Sequence, residues 1–294
     1  EKRLWSELGH GEPIHVQACR DGEHEAEWVA SRLSAHRFER RTKYSDYAIL
    51  YRGNHQARAF EQQLRAQRIP YAISGGQSFF ERAEIKDITS WLRLLSNQDD
   101  DPAFIRAVTS PKRGIGGNTL EALGRAAGRR HQSLFEAIYG PGLEHELAPR
   151  QRAALREFAD FVTRTAARAG KEPAGRVLQD LLRAIGYEAS LFQTLEPREA
   201  ETRWSNVSDF AGWLEKKGQD ENKTLLELAQ SVALLSMLDK GEEDIDAVQL
   251  ATLHAAKGLE FRHVFLVGAE EGLLPHRDST EPAKLEEERR LMYV

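Results

Sequence analysis

Short apolar runs alternate with longer amphipathic stretches over the first third of the chain. The run Tyr47–Tyr51 has the length of a buried strand, and residues 14–19 and 69–73 are similar. The stretches 22–36 and about 55–67 carry apolar residues at helical spacing. Strands that alternate with helices predict a parallel sheet with crossover helices. The predicted inner face of the first helix comprises Ala26, Val29, Ala30 and Leu33.

The middle of the chain, from about residue 85 to residue 238, contains helical stretches and no convincing strand pattern. Strand character returns in two apolar runs, 247–253 and 263–269, which have the length of strands buried on both faces of a parallel sheet. We therefore predict an α/β fold, in which an all-α domain is inserted into a parallel-sheet domain. The predicted bounds are 1–96 plus 245–294 for the sheet domain and 97–244 for the helical domain.

The composition is that of a soluble globular protein, with 40% hydrophobic and 30% charged residues in 294 positions. No apolar run approaches the roughly 18 residues that a membrane-spanning helix requires. The single cysteine, Cys19, excludes an internal disulfide and a multi-cysteine zinc site. Because Cys19 lies in the apolar run 14–19, we expect a buried strand thiol and a reducing, intracellular setting.

Positive charge is concentrated in one segment, although the whole chain has a net charge of −5. Residues 102–176 contain 13 Lys and Arg against 7 Asp and Glu, a net charge of +6. Residues 177–294 contain 13 against 23, a net charge of −10, and include the acidic run 241–246, which we predict to be a solvated link. A phosphate backbone would therefore bind the positive segment.

A polar decapeptide, 252–261, joins the two later strands. It contains His254, Lys257 and Glu260 where a strand of a parallel sheet ends, which is where α/β proteins bind ligands. The alternative is an ordinary strand-to-helix turn with a solvated Lys and Glu.

Hydrogen-bond donors also cluster where the second predicted strand gives way to a helix. Arg52, Asn54, Gln56 and Arg58 follow the strand in close succession, and such a cluster suits phosphate or sugar contacts. The alternative is a helix start capped by Asn54, with solvated arginines.

Paired glycines and paired aromatics follow the third predicted strand. Gly75 and Gly76 permit a sharp turn, and Phe79 with Phe80 precedes Arg82. Two aromatic rings beside a cation can form a platform on which bases stack. The alternative is that the two rings plug the junction between the domains.

A glycine turn lies inside the positive segment. Lys112 and Arg113 precede Gly114 and Gly116, which flank one apolar residue. Such a turn between helices exposes backbone N–H groups and is similar to the hairpin of helix-hairpin-helix motifs, which bind duplex backbone. The alternative is an ordinary helix–helix turn.

Several catalytic signatures are absent from the sequence. It contains no Gly-x-x-x-x-Gly-Lys-Ser/Thr loop for a triphosphate, no spacing typical of a metal site and no serine-hydrolase elbow. Residues 285–294 have the pattern of the start of an amphipathic, highly charged helix.

Together these motifs resemble the second half of the UvrD/Rep/PcrA-type superfamily 1 DNA helicases, in order and approximate spacing. The resemblance runs from Leu4 to Val294, with 252–261 matching motif V and 286–294 the start of motif VI. It implies that the sheet domain is the second RecA-like motor domain, 2A, and that the helical insertion is domain 2B.

The resemblance also implies a role for each candidate residue. The nucleotide would contact Glu260, through its ribose, together with Lys257 and Gly258. Duplex DNA would be held by Lys112, Arg113, Gly114 and Gly116. Single-stranded DNA would be bound by Arg52, Asn54, Arg58, Phe79, Arg82, Thr252 and His254.

The implied activity is ATP-dependent 3′-to-5′ unwinding of duplex DNA in replication or repair, in the bacterial cytoplasm and nucleoid. The cofactors would be ATP and Mg²⁺, and the partners single-stranded DNA, 3′-tailed duplex, the N-terminal motor half and replication or repair proteins. We expect the triphosphate loop before Glu1 and the motif VI arginine beyond Val294, so this chain alone would bind no cofactor tightly and hydrolyse no ATP. The alternatives are a stand-alone DNA-binding or protein-interaction module and part of a recombination helicase–nuclease.

Overall fold

The computed structural model describes residues 13–238 and 246–292 and divides into two compact units. The first unit is Glu1–Gly76 with Asp246–Val294, and the second is Gln77–Ile245. The first boundary therefore lies at residue 76 and not at the predicted 96. The segment between these positions carries Trp91, which is fully buried in the core of the helical unit. Most of the acidic run 241–246 lies outside the described residues.

The first unit contains a sheet of four parallel strands in the order β2-β3-β1-β4. This confirms the predicted parallel sheet. Apolar side chains of β1 and β3 pack against helices α1 and α2 to form one core. The elements are α1 (Gly22–Arg40), β1 (Tyr47–Tyr51), α2 (Ala57–Ala66), β2 (Tyr71–Ser74), β3 (Val248–Thr252), β4 (His263–Leu266) and α13 (Pro282–Leu291).

Helix α1 begins and ends as its sequence favours. The Asp21 side chain accepts a hydrogen bond from the backbone N–H of His24 at 2.8 Å, which caps the N-terminus. The helix ends where Arg41 adopts a left-handed conformation, with φ of +54°. The predicted inner face is confirmed, because Ala26, Val29, Ala30 and Leu33 are all buried.

Two predictions about strands are wrong. Residues 14–19 form no strand, since Ile14 and Val16 are each 93% exposed, and Cys19 is half-buried outside any strand. Strand β4 is also not buried on both faces, because Val264 is 50% exposed. An apolar run becomes a buried strand only where other elements cover it, and the run itself does not specify that cover.

The second unit is helical, as predicted. Within residues 85–238 the backbone forms no strand, only an isolated bridge between Pro173 and Thr224. A single core contains Trp91, Phe104 and Phe158. Among the helices that the structure describes, every one is too short or too polar to span a bilayer. The bounds are α3 (Ala83–Ser96), α4 (Asp101–Thr109), α5 (Gly117–Arg130), α6 (Leu134–Ala137), α7 (Leu143–Glu146), α8 (Pro149–Ala169), α9 (Ala174–Ala184), α10 (Tyr187–Thr194), α11 (Pro197–Asp220) and α12 (Leu225–Leu238).

The sheet offers a matched test of which strand positions stabilise the first unit. Ile49 is fully buried in β1, so Ile49→Ala should lower the free energy of unfolding by about 2–5 kcal/mol. Val264 lies half-exposed on the neighbouring strand, and Val264→Ala should cost only about 0.5 kcal/mol. Urea denaturation followed by circular dichroism measures both; equal costs would contradict the assignment of the core.

Candidate nucleic-acid interface

The loops that follow three neighbouring strands meet at one edge of the sheet. Because the strands are parallel, their carboxyl ends lie on the same side. A Cβ placed on Gly75, after β2, would lie 2.5 Å from the Cβ of Ala255, after β3. A Cβ on Gly76 would lie 3.1 Å from Oδ1 of Asn54, after β1. The structure therefore brings together three segments that the sequence predicted separately.

Glycine at position 75 is required on two grounds. Its φ of +76° is in the left-handed region, where side chains with a Cβ are strained. Its close approach to Ala255 also leaves no room for a methyl group. This glycine allows the loop after β2 to pack directly on the turn after β3.

The turn after β3 is anchored by its own backbone and by buried side chains. The Thr252 hydroxyl accepts a hydrogen bond from the N–H of Ala255 at 3.2 Å, and the Thr252 carbonyl accepts one from Ala256 at 3.0 Å. Leu253 and Ala256 are buried beneath the turn. Gly258, with φ of +85°, reverses the chain.

This anchoring leaves the polar residues of the turn on its outer surface. His254, Lys257, Gly258 and Glu260 are all exposed. An exposed imidazole, ammonium and carboxylate within one short turn can donate and accept hydrogen bonds to a ligand that approaches the sheet edge. Thr252 is half-buried and uses its hydroxyl within the turn.

Arg52 is held in an ion pair that the sequence did not predict. Its Nε donates to both carboxylate oxygens of Glu288, at 3.1 and 2.9 Å, and its Nη2 donates at 2.8 Å. Glu288 is buried in α13 and also accepts hydrogen bonds from the N–H of His276 and the hydroxyl of Ser279. The ion pair uses the Nε and Nη2 donors of Arg52, whose side chain is 25% exposed, and leaves the Nη1 donors for a ligand.

The ion pair shifts the acid–base properties of both partners. Hydrogen bonds from Arg52 lower the pKa of the Glu288 carboxyl, and the same hydrogen bonds raise the pKa of Arg52. The two residues are 236 positions apart. The sequence predicted only a charged helix over residues 285–294, and that pattern does not distinguish Glu288 from the glutamates beside it.

Asn54 does not cap a helix, so that alternative is wrong. Helix α2 begins at Ala57 without a side-chain cap, and Gln56 instead accepts a hydrogen bond from the N–H of Gly53 at 2.8 Å. Asn54 is exposed beside Gly76, and Arg58 is half-buried in the first turn of α2.

Phe79 cannot provide a stacking surface in this structure, and that prediction is corrected. Its ring is 3% exposed and packs edge-on against Phe80 at 5.4 Å, within the core of the helical unit. The Arg82 guanidinium lies 5.6 Å from the Phe79 ring centre and donates a 2.8 Å hydrogen bond to Asn206. Two adjacent aromatics can equally contribute to a core, and Phe79 lies in the core of the helical unit.

The glycine turn between α4 and α5 lies on an open surface. Gly114 has φ of +77°, which only glycine adopts without strain. A Cβ on Gly114, Gly116 or Gly117 would meet nothing within 4 Å, and Lys112 is exposed beside them. The turn has the predicted position between two helices, and its backbone is accessible to a ligand.

Arg113 points away from that surface, which corrects its predicted contact with duplex backbone. Its guanidinium lies 4.8 Å from the Trp91 ring centre and 5.5 Å from that of Phe158, and its Nε donates to the carbonyl of Pro111 at 3.2 Å. Burial lowers the pKa of Arg113 to about 10, so it remains charged at neutral pH. Arg113 therefore supports the turn from beneath, as a cation–π partner.

Comparison with known proteins assigns the chain to a family. The family described as the UvrD-like helicase C-terminal domain matches residues 1–294. The chain belongs to this family. The resemblance drawn from the sequence motifs is thereby confirmed.

The relatives of this UvrD-like helicase domain are considerably longer proteins. ATP-dependent DNA helicase Rep of Salmonella typhimurium is 48% identical over 301 residues, which cover 100% of this chain and 44% of that protein. Rep of Escherichia coli K12 is also 48% identical, with 100% and 45% covered. DNA helicase II of E. coli K12 is 36% identical, with 100% and 41% covered. The chain spans less than half the length of these relatives.

The ion pair of this UvrD-like domain predicts a pH-dependent stability. Because the folded-state pKa of Glu288 is depressed, its stabilisation is present above the ordinary glutamate pKa of about 4.3 and is lost as pH falls through the folded value. Glu288→Gln should lower the free energy of unfolding by about 1–3 kcal/mol at pH 7. The difference from the unmodified chain should shrink below about pH 4.

Urea titrations between neutral and acidic pH measure this difference. Glu287→Gln is the matched control, because Glu287 is the exposed neighbour in the same helix. A Glu288→Gln effect that is independent of pH, or equal to that of the control, would contradict a stabilising ion pair.

Proposed function

We propose that this chain is the DNA-engaging C-terminal part of an ATP-dependent 3′-to-5′ DNA helicase that unwinds duplex DNA in replication or repair. The contact between the loops after β1, β2 and β3 carries the proposal, because it forms one ligand-accessible edge in a chain of the helicase family. The sheet unit acts as motor domain 2A and the helical unit as domain 2B. The N-terminal motor half and replication or repair proteins are its proposed partners.

Glu260, Lys257 and Gly258 form the proposed nucleotide contact. The exposed carboxylate of Glu260 suits the hydroxyls of a ribose, and the ammonium of Lys257 suits phosphate. ATP, when bound, supplies the free energy of its hydrolysis. Among the described residues, no group of three or more His, Cys, Asp or Glu could hold a metal ion.

The proposed single-strand contact runs along the same sheet edge. Exposed Asn54 and His254 lie in the loops that meet there, and Thr252 shapes the turn between them. Arg52, Arg58 and Arg82 remain candidates as cations, with Arg52 held in place by its ion pair with Glu288. Phe79 no longer belongs to this set, because its ring is buried.

Substitution of Glu260 tests the proposed function directly. In the whole parent protein, Glu260→Ala should reduce ATP-dependent unwinding of a 3′-tailed duplex by at least about tenfold, since one lost charge-assisted hydrogen bond is worth about 1.5–3 kcal/mol. Unwinding is measured by strand displacement of a fluorescent duplex. A 5′-tailed duplex should remain paired.

Glu27→Ala is the matched control, because Glu27 is an exposed glutamate on α1, outside the loops after β1, β2 and β3. Equal activity of the Glu260→Ala and Glu27→Ala proteins would reject the role of Glu260. A parent protein that unwinds no tailed duplex would instead favour a stand-alone binding module.

The proposed contact with duplex DNA is made by the side chain of Lys112 together with the backbone of Gly114 and Gly116. Lys112→Ala should weaken duplex binding by a few-fold in low salt and reduce the slope of log affinity against log salt by about 1, because one phosphate contact is lost. Fluorescence anisotropy across a salt series measures both quantities. The thermal stability should be unchanged, since Lys112 is exposed.

Arg113 provides the contrasting case. Arg113→Ala should lower stability through loss of its contacts with Trp91 and Phe158. A Lys112→Ala protein with an unchanged salt slope would show that the glycine turn does not bind phosphate.

A further inference from the structure

Helix α8 carries three arginines along one groove on its surface. Arg152, Arg156 and Arg164 line an open groove of about 490 Å³, together with Glu157 and Asp160. The spacing places Arg152 and Arg156 about 6 Å apart along the helix axis, and Arg156 and Arg164 about 12 Å apart. The groove is therefore elongated, with three cations and two carboxylates along it, and is not a pocket for one small anion.

Within the part of the chain that the structure describes, none of these three guanidinium groups lies within salt-bridge distance of a carboxylate. Arg152 interacts with the Glu144 carboxylate only at longer range, where its charge lowers the pKa of Glu144. The Nε of Arg152 is buried and has no hydrogen-bond acceptor. Asp160 lines the same groove, but its carboxylate accepts a hydrogen bond from the hydroxyl of Tyr139 at 2.9 Å.

Other arginines of the helical unit contrast with these three. Arg125 pairs with Glu121 at 3.0 Å, and Arg168, on α8 itself, pairs with Glu172 at 2.8 Å. A helix can thus neutralise its arginines locally, and this groove does not, although carboxylates are present in it. Unneutralised guanidinium groups are suited to an external anion, which they bind with paired donors.

The position of the groove indicates which anion it meets. The side chain of Gln151, at the start of α8, donates a 2.9 Å hydrogen bond to Thr119, in the first turn of α5. Arg113, in the glycine turn, lies over Phe158 of α8. The start of α8 is therefore adjacent to the first turn of α5, and the buried face of α8 lies beneath the glycine turn.

We propose that Arg152, Arg156 and Arg164 of α8 form a second phosphate-contact strip for duplex DNA, which extends the contact made at the glycine turn. A row of cations on a helix whose first turn contacts the helix after the glycine turn matches the repeated charges of a nucleic-acid backbone. The strip binds phosphates and reads no base sequence. The inference rests on the proposed duplex binding by the helical unit.

Removal of two of the cations tests the strip. In the whole parent protein, Arg156→Ala/Arg164→Ala should weaken binding to a fluorescent tailed duplex by about tenfold near 50 mM salt. The slope of log affinity against log salt should become shallower by about 1.8, the value for two phosphate contacts. Arg156→Lys/Arg164→Lys should restore most of the slope, because it keeps both charges.

The matched control is Arg176→Ala/Arg183→Ala on α9, where both side chains are exposed at 72% and 78%. It removes the same net charge from the same unit and should leave the slope within about 0.5 of the unmodified value. Equal slopes for the α8 and α9 variants would overturn the strip and favour an acidic protein partner for the groove.

Lys112→Ala in the same assay separates this inference from the proposed function. If Lys112→Ala weakens duplex binding but Arg156→Ala/Arg164→Ala does not, the strip is rejected and the proposed function is not. A parent protein that does not bind the duplex rejects the proposed function and the strip together. If both variants weaken duplex binding and their changes in the salt slope add, the result supports a duplex contact that includes the glycine turn and the strip.

Discussion

The parallel direction of all four strands is the constraint on which the candidate interface depends. It places the ends of β1, β2 and β3 at one edge, so loops that are distant in the chain become neighbours. Gly75 then allows contact with the turn after β3, because a side chain there would overlap Ala255. If one of these strands ran antiparallel to its neighbours, the loop after it would lie at the opposite edge of the sheet, and no common surface would form.

Beneath this edge, a small apolar cluster connects the turn after β3 to helix α13, and one ion pair connects the loop after β1 to the same helix. Leu253 of the turn packs with Leu274 and with Leu291 of α13, while Glu288 of the same helix holds Arg52 after β1. The proposed nucleotide turn and the loop after β1 thus share one support. A shift of α13 would change the position of Arg52 and the packing under Glu260 at the same time.

The sequence was sufficient for most elements, because their signals are local. The apolar run of β1 and the inner face of α1 follow from periodicity alone. Residues 14–19 carry the same signal but lack cover, which is a property of the fold. The directions of Phe79 and Arg113 also depend on neighbours distant in sequence, as does the pairing of Arg52 with Glu288. Residue types therefore indicated the ligand class, and side-chain orientation decided which residues remain accessible.

The central claim is that a DNA strand lies along the edge formed by the loops after β1, β2 and β3. Photocrosslinking of the whole parent protein to a single-stranded oligonucleotide with photoreactive thymines, followed by peptide mass spectrometry, tests it most directly. The account predicts crosslinks in the peptides that contain Asn54, Gly76 and His254, reduced by excess unlabelled strand. Crosslinks confined to the surface of α1, with none in these three loops, would contradict it.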